Sequence, residues 1–161
     1  MTNLQLLLQR LSDGGIEFVV IGGFAGILHG SSMVTDDLDV CAVLTGENIE
    51  RIRAALKDLK PVHRMTHGRL SFLDHPASGQ AMENLYLKTD AGVVDVLSSV
   101  LGVGEFARLR AEAVEIDLFG RRVAVMSLRD LIVAKEACGR EKDLLTAKEL
   151  RAIEAKQAQR K

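Results

Sequence analysis

Three carboxylates are placed where a solvated carboxylate has little reason to be. Asp37 and Asp39 flank Leu38 at the opening of an apolar strand, and strand side chains alternate between faces. Asp37 and Asp39 therefore share one face, while Asp36 and Leu38 share the other. Two like charges so close repel unless a cation lies between them. Asp95 sits within Val93-Val94-Asp95-Val96-Leu97, where burial without a partner is costly, so it too calls for a cation. Upstream, Phe18 to Ile21 reads as a buried strand, followed by Gly22-Gly23 and a short apolar helix ending near Gly30. A strand turning through glycines into a helix presents bare N–H groups at a helix N-terminus, which favours phosphate. Taken alone, the glycines are an ordinary turn and the aspartates a solvated strand end. Together they describe a divalent metal site beside a phosphate cradle.

These residues also carry a family resemblance. Gly22-Gly23, a short helix, and Thr35-Asp36-Asp37-Leu38-Asp39-Val40 resemble the signature of the nucleotidyltransferase superfamily with the DNA polymerase beta-like fold, in which a third acidic residue follows on a later strand. Within it, the chain resembles the small bacterial AbiEii-toxin-like nucleotidyltransferases. The resemblance covers residues 16–43, Asp95 singly, and 123–144. It implies that Asp37, Asp39 and Asp95 are the catalytic residues and the ligands of Mg²⁺ or Mn²⁺, with a nucleoside triphosphate such as ATP as substrate.

The run from Met126 to Asp143 resembles the family segment in which a helix with an inward Lys precedes Arg-x-Lys-Asp. From composition alone Lys135, Arg140 and Lys142 are surface charges; the resemblance makes them nucleotide-binding residues, Lys135 and Lys142 as triphosphate contacts. Asp143 reads as a first-turn helix charge or salt-bridge partner. Gly22, Gly23 and Ser32 complete the expected nucleotide-binding set, with helix capping as the other reading of Ser31 and Ser32. One departure is plain: family members often carry an arginine two residues before the Thr, where this chain has Met33.

The chemistry implied is transfer of a nucleoside monophosphate to a hydroxyl acceptor, which is a tRNA, a protein or a small molecule. The alternatives are a nucleotide-binding module without turnover, or the toxin component of a toxin and antitoxin pair held by a partner protein.

At 161 residues the chain has the length of one domain, expected over residues 1–161, and its 47% hydrophobic and 27% charged composition is that of an ordinary globular protein. A net charge of -1 gives no global basic field for nucleic acid. The first twenty residues hold Arg10, Asp13 and Glu17 and no long apolar run, so neither a signal peptide nor a membrane span is expected. Cys41 and Cys138 read as reduced, buried thiols of a cytoplasmic protein.

The elements that must position the site follow in order. Leucines at 4, 7, 8 and 11 predict a covering helix ended by Gly14-Gly15. A helix from Glu47 to Lys60 is expected to turn Ile49, Ile52, Ala55, Leu56 and Leu59 inward and Arg51, Arg53 and Lys57 outward. Strands are expected at 69–74, 82–89 and 93–97, the last two joined through Asp90-Ala91-Gly92. His63 and His67 have the spacing of two metal ligands on one helical turn, yet nothing around them supports zinc. His29 reads as a helix C-cap contact. A helix at 104–113, a hairpin around Phe119-Gly120, a helix capped by Ser127 with Asp130 in the manner of a capping box, and a last helix from Glu141 to Lys156 complete the chain. Residues 156–161 are expected to fray. The whole reads as an α/β (α+β) fold with a mixed sheet flanked by helices.

Overall fold

The computed structural model describes residues 2–160. Six α-helices surround a mixed sheet of seven strands. The helices are α1 (Leu4–Asp13), α2 (Gly22–Leu28), α3 (Gly46–Leu56), α4 (Phe106–Glu112), α5 (Leu128–Cys138) and α6 (Glu141–Gln159). The strands are β1 (Val19–Ile21), β2 (Leu38–Cys41), β3 (Val62–His63), β4 (Asn84–Thr89), β5 (Gly92–Leu97), β6 (Ser99–Val100), β7 (Gly104–Glu105), β8 (Val114–Leu118) and β9 (Arg121–Val125). The large sheet runs β3-β4-β5-β2-β1-β9-β8, and β6 and β7 form a separate pair. Tight turns make β4/β5 and β8/β9 antiparallel, whereas β2/β5 and β1/β9 are parallel.

Local chemistry explains most boundaries. Asn3 caps α1 by accepting from the Leu6 N–H at 3.0 Å, and Thr45 caps α3. Ser127 Oγ accepts from the Asp130 N–H at 3.0 Å, but the Asp130 carboxylate does not reach back to close a capping box. It takes two hydrogen bonds from Arg108, each 2.9 Å, and so ties α4 to α5. Gly139 ends α5 in the left-handed region at φ 70°. His29 is the C-cap of α2, and its ring Nε2 lies 2.8 Å from the Met126 carbonyl oxygen. In the sheet the buried pattern alternates where expected: Leu85 and Leu87 are buried, and Tyr86 and Lys88 are not.

Several expectations are corrected. The double glycine is not a turn before α2 but its first two residues. Arg53 does not face outward; it is buried, stacks on the Phe72 ring at 4.8 Å, and donates to the carbonyls of Phe72, His75 (3.3 Å) and Pro76 (2.9 Å). Loop carbonyls that no strand satisfies need a donor, and a long guanidinium can supply several at once. Residues 69–74 are not a strand: they form an isolated bridge, Val62↔Ser71, with backbone hydrogen bonds from His63 to Leu70 and from Phe72 to Pro61. His63 is tied into this loop, its Nε2 2.8 Å from the His75 carbonyl oxygen. The pair β6/β7 precedes a helix shorter than 104–113, and α6 continues through Gln159 instead of fraying from Lys156. Cys41 is buried as expected, but Cys138 is exposed; both are free thiols. Among the described residues no helix is long and apolar enough to cross a membrane.

Candidate active site

The register of the sheet sets the site. Asp39 on β2 pairs with Asp95 on the adjacent parallel β5, Asp95 pairs with Tyr86 on β4, and Asp39 pairs with Ile21 on β1. Residues in register across neighbouring strands point to the same face and stand about 5 Å apart. Tyr86, Asp95, Asp39 and Ile21 therefore form one row. The alternating positions Leu38, Val40, Val94 and Val96 turn to the opposite face, where all four are buried.

Ile21 leads directly into α2, which brings the glycines against the row. Gly22 has φ +68° and lies so close to Asp39 that a Cβ there would sit 2.5 Å from Asp39 Oδ2. A Cβ on Gly23 would meet Thr35 Cβ and Oγ1 at 3.1 Å. Small residues at the start of α2 thus let the segment before β2 approach, and Thr35 Oγ1 lies 3.4 Å from the Asp37 N–H. The other end of that segment is fastened to α6. Ser31 Oγ donates to Glu149 Oε1 at 2.6 Å and Ser32 Oγ to Oε2 at 2.5 Å, and the Ser32 N–H donates to Oε1 at 3.2 Å.

A cavity of about 320 Å³ opens over the row. Gly22, Gly23, Asp37, Asp39 and Asp95 line one side of it, and Lys135, Arg140 and Lys142 line another. Ser31 is in the lining and Ser32 is not; the hydroxyls of both donate to Glu149. Met33, 45% exposed, and Val34 form an apolar rim. Asp143, buried in the first turn of α6, takes Arg140 Nε at 2.6 Å and Nη2 at 3.2 Å, with Lys135 Nζ at 3.8 Å. Arg140 and Lys135 hold Asp143 below the usual carboxylate range. Lys142 has no ion-pair partner among the described residues and is the free cation of this wall.

The acidic wall behaves differently at each carboxylate. Asp39 is pushed up to about 6, first by burial and then by the charges of Asp95 and Asp37, against the opposing pull of Lys135 and Arg64. Burial also raises Asp95, which Arg64 opposes. Arg64 is the residue that sequence reasoning missed. It follows β3, anchors its N–H on the Tyr86 carbonyl at 3.0 Å, lays its guanidinium 5.4 Å from the Tyr86 ring centroid, and grips both Asp95 oxygens. The unmet need of Asp95 for a cation was the only signal that pointed to it.

Asp37 and Asp39 form no ion pair among the described residues. As hard oxygen ligands, the second raised by burial and then by its neighbours' charge, they suit one divalent cation. Asp95 offers less, since Arg64 already takes both its oxygens. Among the described residues no group of three or more His, Cys, Asp and Glu is placed to hold a metal ion.

Comparison with known proteins adds to this geometry. The family profile described as "Nucleotidyltransferase of unknown function (DUF6036)" matches residues 2–154. No curated protein sequence matches the chain. Among solved structures, the lincomycin-bound lincosamide antibiotic adenylyltransferase LnuA aligns with a TM-score of 0.61 at 16% identity, covering 94% of this chain and 98% of that one. Protein TM1012 of Thermotoga maritima aligns with a TM-score of 0.57 at 19% identity, covering 91% and 88%. ANT(2'')-Ia in complex with adenylyl-2''-tobramycin aligns with a TM-score of 0.50 at 17% identity, covering 92% and 95%. At these identities the likeness is one of fold.

Proposed function

The chain belongs to the nucleotidyltransferase family of unknown function (DUF6036), and on that premise we propose that it transfers a nucleoside monophosphate from a nucleoside triphosphate to a hydroxyl acceptor. The observation that carries this reading is the division of one cavity between an acidic wall of Asp37, Asp39 and Asp95 and a basic wall of Lys135, Arg140 and Lys142. Such a cavity suits a substrate whose polyphosphate is anionic and whose reaction needs a cation beside it.

Asp37 and Asp39 would hold Mg²⁺ or Mn²⁺, which supplies Lewis acidity toward the phosphates. Lys142 meets the polyphosphate as a mobile point charge, together with Lys135 and the N–H groups of Gly22 and Gly23. The acceptor hydroxyl attacks the α-phosphorus in line, pyrophosphate leaves, and Asp95 takes the hydroxyl proton. Arg64 occupies one side of the Asp95 carboxylate and leaves its remaining lone pairs for that proton. The test is to incubate the protein and Mg²⁺ with each α-labelled nucleotide and a cell lysate. Label on a small molecule, tRNA or protein identifies the acceptor class, and no label with any nucleotide removes the transferase reading.

A second reading is a nucleotide-binding module without turnover, which the absence of a basic contact at Met33 on the rim supports, or a toxin-type component held by a partner protein. Under that reading nucleotide binds without label transfer, or transfer occurs only when a partner antitoxin protein is removed.

A further inference from the structure

One carboxylate of the cavity lining already has a cation, Arg64, which pairs with Asp95 without itself lining the cavity. Asp95 is 7% exposed in the middle of the sheet, and a buried carboxylate there must be neutralised. Arg64 does so with Nε donating to Oδ1 at 3.2 Å and Nη2 donating to Oδ2. The guanidinium is fixed rather than loosely placed: its backbone N–H is bonded to β4, its plane lies over Tyr86, and Tyr86 is the next member of the same row. Asp37 and Asp39 add to the negative field around it.

We propose that Arg64 is the site's resident cation and stands where a second divalent ion would otherwise sit at Asp95, so that this chain binds one divalent ion, at Asp37 and Asp39. The inference rests on the transferase reading for the identity of the ion, but its consequence is a metal count that needs no turnover. Arg64 is thereby a positioning residue, keeping Asp95 charged and oriented in the absence of a second metal. An arginine cannot leave with product as a metal ion can, so Asp95 stays neutralised through each cycle.

The test is Mn²⁺ titration of the nucleotide-free protein, with free Mn²⁺ read by electron paramagnetic resonance. Wild type is expected to bind one Mn²⁺ per chain, Arg64→Gln two, and the double variant Arg64→Gln/Asp95→Asn one again. Two ions on wild type, or no gain in Arg64→Gln with a native circular dichroism spectrum, overturns the proposal. Should Arg64→Gln not fold, the double variant decides, since it removes both charges. Retained affinity within about threefold of wild type supports the proposal, and a loss of about tenfold or more, the scale of a lost ligand or its support, overturns it. Failure here is separable from failure of the transferase reading. A chain that labels an acceptor yet binds two Mn²⁺ fails only this inference, and one that binds a single Mn²⁺ yet labels nothing fails only that reading.

Discussion

Gly22 and Asp39 are in such close contact that no side chain fits between them: a Cβ on Gly22 would lie 2.5 Å from Asp39 Oδ2, in a residue already at φ +68°. Gly22→Ala is therefore expected to cost about 1–3 kcal/mol of stability and to displace the Asp39 carboxylate proposed to hold the divalent ion. Gly26→Ala is the control. It lies inside α2 with its nearest new neighbours at 3.6 Å or beyond, so it should be neutral or gain up to about 1 kcal/mol. Urea unfolding of both variants checks this, and equal stabilities would show that the contact relaxes freely.

Asp39 makes the fold sensitive to pH. Its value rises from 3.8 to about 6 on folding, so over that interval the folded chain keeps a proton that the unfolded chain has lost. The stabilisation is complete at acid pH, declines as pH rises through the interval, and is gone above about 6. A divalent ion competes with that proton, so Mg²⁺ should raise Tm more near about pH 7 than near about pH 5. Asp39→Asn should flatten the metal-free profile across the same window. Thermal melts with and without Mg²⁺ measure both, and a wild-type profile that matches Asp39→Asn would exclude the coupling.

Asp95→Asn keeps the shape of the side chain but removes its charge. The fold should survive, because Asn fills the same space and the Arg64 side chain, 29% exposed, already reaches solvent. Transfer of labelled nucleotide should be abolished, since neither the proton acceptor nor the anchor of Arg64 remains. Circular dichroism with the labelling assay reads the two effects separately, and wild-type turnover would take Asp95 out of the reaction.

Among the described residues Lys142 is the unpaired cation on the basic wall, whereas Arg140 and Lys135 are engaged with Asp143. Lys142→Ala should weaken nucleotide binding by roughly tenfold or more, about 1.5–3 kcal/mol for a charged hydrogen bond. Met33→Arg, which adds a cation to the apolar rim, should strengthen it. Lys57→Ala, outside the cavity lining, should do nothing. Calorimetric titration of nucleotide with Mg²⁺ compares the four proteins, and equal affinities for Lys142→Ala and wild type would reduce the basic wall to surface charge.

Much of this was written locally in the chain. The hairpin of Val114–Leu118 and Arg121–Val125 around Phe119-Gly120, the Ser127 cap and the Gly139 stop depend on residues two to four positions apart, within reach of period and propensity. The glycines and Asp-Leu-Asp were legible together as one motif, because only the rest of α2 and the segment before β2 separate them along the chain. What only the tertiary structure decided joins residues distant along the chain. Parallel pairing put Asp95 beside Asp39, and Arg64, 31 residues away, became the cation that Asp95 required. Glu149 took up the Ser32 hydroxyl across 117 residues, and loop carbonyls turned Arg53 inward. A buried charge or an orphaned carbonyl states in the sequence that it needs a partner. Which partner it finds depends on the order of strands in the sheet, and that order is set by packing of the whole chain rather than by neighbours within a few residues.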